Sequence, residues 1–511
     1  MGRIFVRLVA GGIVGKLLGI AREVLLAALF GVGRVVAANR IALTATLIPI
    51  NFFTADALTA GFLPLYVQYR KQQPALAARL YRSVRSLLMV LSGLLTLALI
   101  IGSAAWVGLL GPGLDVYTSN LAAQMLAIAA LGVPFYVQFN LYTLVALAND
   151  DVRLINLRAS MQSVGLICAT LAAYLTGRAS VLALGFTVPY VLLFCWGAYW
   201  VHRKGYLGTA EGGIDSLPGQ RFHGQVLTAF WHRLRPLLIV PVILQGSIAV
   251  ERAVGSLLGT EVVAASEYAR FIVDSLMALV AAPLGLASLA SFSKIETAEL
   301  PDRLRRLIAP VLLTMIPLSL LICVNSRGIV TLLYARGQFA TEAVDTTSVM
   351  LLGFGLAIWA QVLGYTLVKV LNARGENYKA TLVLVASFAA AIGFNLALYR
   401  YLGAFTLGAA ASVASLIMFV AAAWALRVVR HTAKLLAIML PGLIAAAIAG
   451  YVLSGPGLGH LVLASVAIVL VWGAYVSAVP RLRAVLHSEI IGRLRRSGPA
   501  RTNDSRPKEN V

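Results

Sequence analysis

Charged residues are scarce in this chain. They make up 12% of its 511 residues, whereas hydrophobic residues make up 60% and the mean hydropathy is +0.86. This balance excludes a soluble globular protein, which needs far more polar side chains to cover its surface. The sequence therefore predicts a polytopic membrane protein.

Features of metal, redox and nucleotide sites are lacking as well. The three cysteines, Cys168, Cys195 and Cys323, lie in apolar stretches without CxxC or Cys/His spacing. The six histidines are scattered, so we expect no metal and no cofactor. No GxxxxGK[ST] motif is present. Transport would then use an ion gradient, the membrane potential or the substrate gradient, and a coupling ion of unknown identity stays open.

Long apolar runs dominate the rest of the chain. Runs of about 20 residues are long enough to cross a bilayer as helices, and they lack the alternation of a membrane β-barrel. We predict an all-α polytopic fold with about 14 transmembrane helices. They are placed at 8–31, 41–67, 86–110, 121–147, 156–176, 180–201, 236–258, 262–291, 307–333, 346–370, 379–399, 404–426, 435–454 and 460–479.

Lysine and arginine in the connections predict the orientation. The connections after even-numbered spans are basic, for example Arg79, Arg82 and Arg85, whereas residues 111–120 and 454–460 have neither Lys nor Arg. Because basic loops stay in the cytoplasm, both termini are predicted to be cytoplasmic, in a bacterial inner membrane. The net charge of +22 then follows the topology, and we expect membrane lipids and no nucleic acid as partners.

A repeat divides the chain. Leu29-Phe30-Gly31 followed by Val35-Val36-Ala37-Ala38 returns as Leu257-Leu258-Gly259 followed by Val262-Val263-Ala264-Ala265. Repeated halves are typical of transporters, in which they rock about a central site. We predict two pseudo-symmetric six-helix lobes plus two C-terminal helices. The predicted boundaries are 1–202 and 236–430 for the lobes, 203–235 for a cytoplasmic linker, 431–480 for the additional helices and 481–511 for a basic cytoplasmic tail.

Each repeat carries a charged pair within an apolar run, Arg22-Glu23 in the first and Glu251-Arg252 in the second. Burying an ionisable side chain in hydrocarbon costs roughly 2.5–3.5 kcal/mol on insertion scales, so such residues normally face a cavity or a partner. Lys16 lies in the same span as the first pair. The alternative interpretation is that each pair only neutralises itself.

Two further spans carry charge. Glu267, Arg270 and Asp274 stand at i, i+3 and i+7, on one face of a helix, and either contact a substrate or coupling ion or form a structural ion-pair ladder. Asp56 lies toward the middle of the second span and is a candidate for ion coupling. Arg40, near the end of that span, either has a role of its own or extends to the lipid head groups.

Several segments resemble the lipid II flippase family, of the MurJ/MviN type, within the multidrug, oligosaccharidyl-lipid and polysaccharide exporter superfamily. The likeness runs from about residue 8 to about residue 430 in the same order. The matching segments are Lys16-Leu-Leu-Gly-Ile-Ala-Arg22-Glu23, Leu29-Phe-Gly-Val-Gly33, Gly61-Phe-Leu-Pro64, Tyr268-Ala269, Pro283-Leu-Gly285, Ser291-Phe-Ser-Lys294, Leu333-Tyr334-Ala-Arg-Gly337-Gln-Phe339 and Lys369-Val-Leu-Asn-Ala-Arg374.

The resemblance implies two lobes around a central cavity and alternating access. It also implies an undecaprenyl-pyrophosphate-linked saccharide as cargo, carried by a monomer. Lys16 takes the position of one cavity arginine of the family, Arg22 matches another, and Arg270 lies within one position of a third. Cations in a low-dielectric cavity are what a pyrophosphate requires when it leaves water.

This sequence departs from the family pattern at Lys16, which replaces an arginine, and at Ala37, Ile50 and Asn51, which replace an acidic residue and an arginine pair. The cargo is accordingly either a lipid II-like peptidoglycan precursor or an exopolysaccharide repeat unit. A cation or drug antiporter of the same superfamily is the alternative, and a polytopic glycosyltransferase or polymerase is a more distant one.

The mechanism predicted from these residues has two parts. The head group binds Lys16, Arg22, Arg252 and Arg270 in the inward-open cavity, while the lipid chain stays in the membrane. When the cavity is empty, these cations pair with acidic partners. The predicted partners, or coupling residues, are Glu23, Asp56, Glu251, Glu267 and Asp274.

Overall fold

The structure is a computed structural model of the chain. It describes residues 2–54, 56–207, 238–292, 295–296, 299–455 and 457–486. The side chains of residues 2–13 and of a few single residues, Asp56 among them, lie outside that description. So do almost all of the predicted linker 203–235 and tail 481–511, and the boundaries proposed for the lobes stay a prediction.

Nine α-helices and a short 3₁₀ turn at Ala179–Ala183 make up the described part of the N-terminal lobe. Within it, α1 packs on α8, α2 on α6, and α7 on both α4 and α9. The helices are α1 Gly2–Phe30, α2 Arg34–Thr54, α3 Asp56–Gln72, α4 Pro74–Ile101, α5 Ser103–Leu110, α6 Val116–Ala130, α7 Val133–Leu147, α8 Arg153–Thr176 and α9 Leu184–Arg203.

The C-terminal lobe follows, and then the two additional helices and a short last one. The helices are α10 Ile239–Leu258, α11 Thr260–Phe292, α12 Leu300–Val324, α13 Ser326–Tyr334, α14 Thr341–Gly355, α15 Ile358–Ala373, α16 Asn377–Leu402, α17 Phe405–Ala425, α18 Val429–Leu453, α19 Leu458–Ala478 and α20 Pro480–Val485. The additional pair, α18 and α19, packs on α12, where the Trp472 indole donates a hydrogen bond of 3.1 Å to the Leu313 carbonyl.

The all-helical membrane fold is confirmed. Eleven helices of the described residues are long and apolar enough to cross a membrane, or thirteen if each of two bent pairs is one span. These pairs, α6 with α7 and α14 with α15, are each bent by 46°. The prediction of about fourteen spans agrees with these numbers to within one to three helices, and α1, 29 residues long, is not among the helices counted.

The sequence repeat appears as two equivalent helix turns. Gly31 follows the last residue of α1, and Gly259 follows the last residue of α10. Each turn leads directly into a second helix, α2 or α11, that contacts the opposite lobe. The charged pairs lie two turns before these glycines, so both copies of the repeat bring their charges to the junction of the lobes.

The lobes are in direct backbone contact beside the Gly31 turn, which we name the Gly31 end. The backbone amide of Gln338 donates a hydrogen bond of 2.9 Å to the Ala28 carbonyl, and the Tyr268 hydroxyl donates one of 3.1 Å to the Gly31 carbonyl. Gly337 has a φ of +60°, and a Cβ there would lie 2.1 Å from the Ala28 oxygen. Only glycine permits this approach.

Candidate functional site

Glu23 is the centre of the charged group on the N-terminal lobe. One of its carboxylate oxygens accepts a 3.0 Å hydrogen bond from Arg22 Nε, and the other pairs with Arg40 of α2. The Glu23 side chain is 2% exposed. The two guanidinium groups also face aromatic rings of α11, since Arg22 lies 5.8 Å from the Phe271 ring centroid and Arg40 lies 5.6 Å from that of Tyr268. This group therefore joins the two lobes.

The second group comes from the C-terminal lobe. Glu251 of α10 pairs with Arg270 of α11, and Arg252 pairs with Glu267. Arg252 Nη1 also lies 4.0 Å from Glu251, which makes the four side chains one chain of ion pairs. Arg252 Nε donates a 3.2 Å hydrogen bond to the Thr44 hydroxyl of α2. Arg252 of the C-terminal lobe is thus hydrogen-bonded to the N-terminal lobe.

Four arginines and three glutamates form these two groups, which we together name the junction network. They are Arg22, Glu23, Arg40, Glu251, Arg252, Glu267 and Arg270. The arginines exceed the glutamates by one. Because a buried charge is stable only when it is paired, a network with one surplus positive charge favours an anion as its further partner.

The cations differ in how accessible they are. Arg270 is 28% exposed, Arg22 is 18% exposed and Arg252 is 6% exposed. Lys16 is half-buried and forms no salt bridge within the described residues. Asp274 is exposed and forms none there either, although the two are close enough to interact electrostatically. Lys16, Arg22 and Arg270 are therefore the cations most available to a ligand, and Arg252 is the least.

Asp56 and Arg40 are the two charged residues that the sequence predicts for the second span. Asp56 begins α3, and its side chain lies outside the described residues, so its coupling role stays a prediction. Arg40 does not extend away from the protein, which was one of the two interpretations left open by the sequence. Instead it is 10% exposed and bound to Glu23, because α2 begins at Arg34 and Arg40 already lies two turns inside the helix.

A cavity of about 620 Å³ opens beside the network within the C-terminal lobe. Glu251 and Arg270 lie on its wall, which is completed by α15, α16 and α17. The cavity therefore connects the charged junction to a chamber large enough for a small ligand. Across the described residues, no group of three or more His, Cys, Asp or Glu is placed to hold a metal ion.

Repeated lobes, membrane-spanning helices and ionisable side chains at the lobe junction together define a multi-pass membrane transporter. A family model described as lipid II flippase MurJ matches residues 26–473. The chain belongs to the lipid II flippase MurJ family. This confirms a transporter rather than an enzyme, as the sequence predicted.

Individual relatives agree with the family. A curated protein of Synechocystis, described as a probable lipid II flippase MurJ, is 26% identical over 386 residues, which cover 71% of this chain and 70% of the relative. A solved structure of lipid II flippase MurJ in an inward closed conformation has a TM-score of 0.79 at 18% identity, over 92% of this chain and 97% of that one.

Drug exporters of the superfamily have a related fold. An inward-facing multidrug resistance MATE family transporter has a TM-score of 0.65 at 14% identity, covering 82% of this chain and 95% of that one. At these identities the likeness concerns the fold. The MATE structure is less similar than the lipid II flippase, so the antiporter alternative is the weaker one.

Proposed function

We propose that this protein flips an undecaprenyl-pyrophosphate-linked saccharide from the cytoplasmic to the periplasmic leaflet of the bacterial inner membrane. Its membership of the lipid II flippase family supports the cargo class. The work is done by a monomer through alternating access, in which the two lobes rotate about their junction. Lipid II and an exopolysaccharide repeat unit are the two candidate cargoes.

The junction network carries this proposal. A pyrophosphate loses its hydration when it enters a low-dielectric cavity, and guanidinium groups replace water as hydrogen-bond donors with a matching charge. Lys16 and Asp274 offset each other, so the surplus stays at one positive charge, which an anion can neutralise. A cationic drug would need the opposite excess.

The transport cycle involves an exchange of ion pairs, in which arginines of the network pass from glutamates to the cargo. In this structure Arg22 is held by Glu23, and Arg270 is held by Glu251. The incoming pyrophosphate competes with these glutamates for the two arginines. Since Glu23 keeps Arg40 and Glu251 keeps Arg252 nearby, neither glutamate is left unpaired during the exchange.

The positive charge of the loops supports an orientation with both termini in the cytoplasm. The Gly31 end then faces the periplasm. In this conformation the two lobes meet at that end through Gln338 and Ala28, so the periplasmic exit is closed.

Neutralising Arg22 tests the proposal. We expect Arg22→Ala to reduce flipping of lipid II, or of an undecaprenyl-pyrophosphate oligosaccharide, by at least about tenfold, because one charge-assisted contact contributes roughly 1.5–3 kcal/mol. The measurement is leaflet accessibility of the labelled lipid in proteoliposomes. Arg178→Ala, which removes an exposed arginine from a loop, is the matched control and should flip at the wild-type rate.

Wild-type flipping by Arg22→Ala would remove the network from the transport pathway. If the unaltered protein moved a cationic dye but neither lipid-linked saccharide, the chain would be an antiporter of the superfamily. A preference between the two lipids would identify the cargo.

A further inference from the structure

Arg158 of the membrane-spanning helix α8 is a cation of the N-terminal lobe that lies outside the junction network. Each arginine of the network forms an ion pair with a glutamate. Arg158 forms no ion pair within the described residues, and the titratable groups that interact with its charge are two tyrosines, Tyr136 and Tyr190. Because an unpaired charge within a membrane costs free energy, Arg158 needs a negative counter-charge.

The Arg158 side chain extends from α8 to α7. Its Nη1 atom donates a hydrogen bond of 3.1 Å to the Asn140 amide oxygen, and its guanidinium carbon lies 5.8 Å from the centroid of the Tyr136 ring. A guanidinium group has five N–H donors, and Arg158 uses one of them within the described part of the chain. Most of its N–H groups are therefore available to a ligand.

The depth of Arg158 distinguishes it from an arginine that extends to the lipid head groups. It lies five residues after α8 begins at Arg153, which is about 8 Å at about 1.5 Å per residue. Tyr136 lies eleven residues before the end of α7, about 17 Å from the same side of the membrane. The guanidinium group therefore extends toward the middle of the membrane, whereas a snorkelling side chain extends toward its surface.

The groups around Arg158 are also hydrogen-bond donors. The Tyr190 hydroxyl donates a hydrogen bond of 3.4 Å to Gln162 Oε1, which leaves the N–H groups of that amide available. The Asn140 amide donates its own hydrogen bond of 3.0 Å to the Tyr136 carbonyl, so Asn140 holds Arg158 in place. A cation surrounded by further donors recognises an anion.

The cluster has a buried floor and an accessible rim. The rings of Tyr136 and Tyr190 pack with centroids 4.7 Å apart, and the two residues are 6% and 1% exposed. Arg158, Asn140 and Gln162 are half-buried. A dissolved ion can therefore reach the donors, and the aromatic floor lowers the local dielectric constant, which strengthens its attraction to the guanidinium group.

Charge and depth together select the kind of anion. A single guanidinium group neutralises one negative charge, so a monovalent anion suits the cluster better than a phosphate or pyrophosphate. The phosphate of a membrane lipid stays in the head-group region outside the hydrocarbon core, whereas Arg158 reaches inward from there. Chloride is monovalent, small and dissolved, and it meets both conditions.

We propose that the N-terminal lobe binds a chloride ion at the cluster of Arg158, Gln162, Asn140, Tyr136 and Tyr190, which we name the Arg158 site. Arg158 and Gln162 donate hydrogen bonds to the ion, and Asn140 orients Arg158. The bound ion neutralises the arginine and thereby stabilises the lobe. The inference does not depend on the proposed flippase function, because the junction network lies on α1, α2, α10 and α11 instead.

Thermal unfolding of the purified full-length protein in detergent tests the Arg158 site. Chloride is replaced stepwise by the much larger gluconate at constant sodium concentration and ionic strength. We expect chloride to raise the unfolding midpoint of the unaltered protein by about 2–4 °C, because a ligand that binds the folded state stabilises it. Arg158→Gln should lose this rise. In gluconate it should be at least as stable as the unaltered protein, because it removes an unpaired cation.

Arg178→Gln, which alters an exposed arginine of a loop, is the matched control and should keep the full response to chloride. Equal destabilisation of Arg158→Gln in both salts would reduce Arg158 to a structural partner of Asn140 and overturn the inference. A full chloride response in Arg158→Gln would overturn it as well.

Bromide and the lipid locate the ion. In crystals grown with bromide in place of chloride, we expect an anomalous scattering peak beside the Arg158 guanidinium group and none there in Arg158→Gln. A peak at the junction network alone would overturn the inference. Undecaprenyl pyrophosphate should bind Arg158→Gln as it binds the unaltered protein in native mass spectrometry. Selective loss of that lipid would place Arg158 on the cargo pathway and contradict a separate chloride site.

Discussion

At the scale of single residues, Glu23 has the most demanding position. Its carboxylate is buried and lies between Arg22 and Arg40. Removing one partner of a buried ion pair leaves an uncompensated charge, and this costs far more than the pair itself contributes. Glu23 is therefore needed to keep two arginines at the lobe junction.

Replacing Glu23 gives a prediction about stability. We expect Glu23→Gln to lower the free energy of unfolding by about 3–5 kcal/mol, because Arg22 and Arg40 then repel each other. Arg40→Met should cost less, since Glu23 keeps Arg22. Thermal unfolding in detergent measures both.

The double variant Glu23→Gln/Arg40→Met should be less destabilised than the sum of the two single variants, because it removes the isolated charge. Glu342→Gln, at an exposed glutamate, should be neutral. Additive single and double variants would contradict direct coupling of Glu23 with Arg40.

The sequence was informative about residues wherever charge stood out against an apolar run. Charged pairs within apolar runs, one in each copy of the repeat, identified Arg22, Glu23, Glu251 and Arg252. The structure places these four residues together at the lobe junction. Arg40 was left with two interpretations, because hydropathy places a span boundary poorly and so does not show whether a basic residue near it is buried. No sequence signal showed that α10, α15, α16 and α17 line one cavity, since that depends on how distant helices pack.

At the scale of helices, the Gly31 end is the element that closes one side of the lobe junction. Tyr268, Tyr334 and Phe339 form an aromatic cluster there, with ring centroids 5.0–5.6 Å apart. Beside the cluster, Gly337 allows its segment to approach α1. Closure thus combines apolar packing with one close backbone contact.

A methyl group at Gly337 should open this end. In Gly337→Ala the new Cβ would meet the Ala28 oxygen at 2.1 Å, so the lobes must separate. Spin labels at Val116 and Glu342, in a background without the native cysteines, report the separation by pulsed electron resonance. We expect a longer distance component in the variant.

Gly177→Ala is the matched control. Gly177 also has a positive φ, +66°, but nothing lies within 4 Å of its added Cβ. It imposes similar backbone strain without touching the other lobe. An unchanged distance in Gly337→Ala, or an equal change in Gly177→Ala, would contradict the role given to the Gly31 end.

Helix number followed from the sequence, but helix breaks did not. The predicted span 41–67 is divided between α2 and α3, the span 86–110 between α4 and α5, and the span 307–333 between α12 and α13. Hydropathy averages over such breaks, because the residues at them remain apolar. Gly102 and Asn325, which separate two of these pairs, are weak signals when taken alone.

At the scale of the whole molecule, transport requires the lobes to separate at the Gly31 end. A disulfide across that end should therefore stop it. The Gln338 amide and the Ala28 carbonyl lie within hydrogen-bonding distance, 2.9 Å, so cysteines at these two positions are close enough to be bridged.

We expect Ala28→Cys/Gln338→Cys to lose flipping in proteoliposomes under oxidising conditions and to regain it with a reductant. The single variant Ala28→Cys should flip normally in both conditions. Full activity of the oxidised double variant, with the disulfide verified by mass spectrometry, would exclude alternating access through this end.

The contact at the Gly31 end also sets how the surroundings act on the protein. It consists of peptide groups, glycines and aromatic rings, none of which carries a formal charge or titrates near neutrality. Changes in pH and ionic strength should therefore have little effect on this contact. We expect opening to depend instead on the guanidinium and carboxylate groups of the junction network.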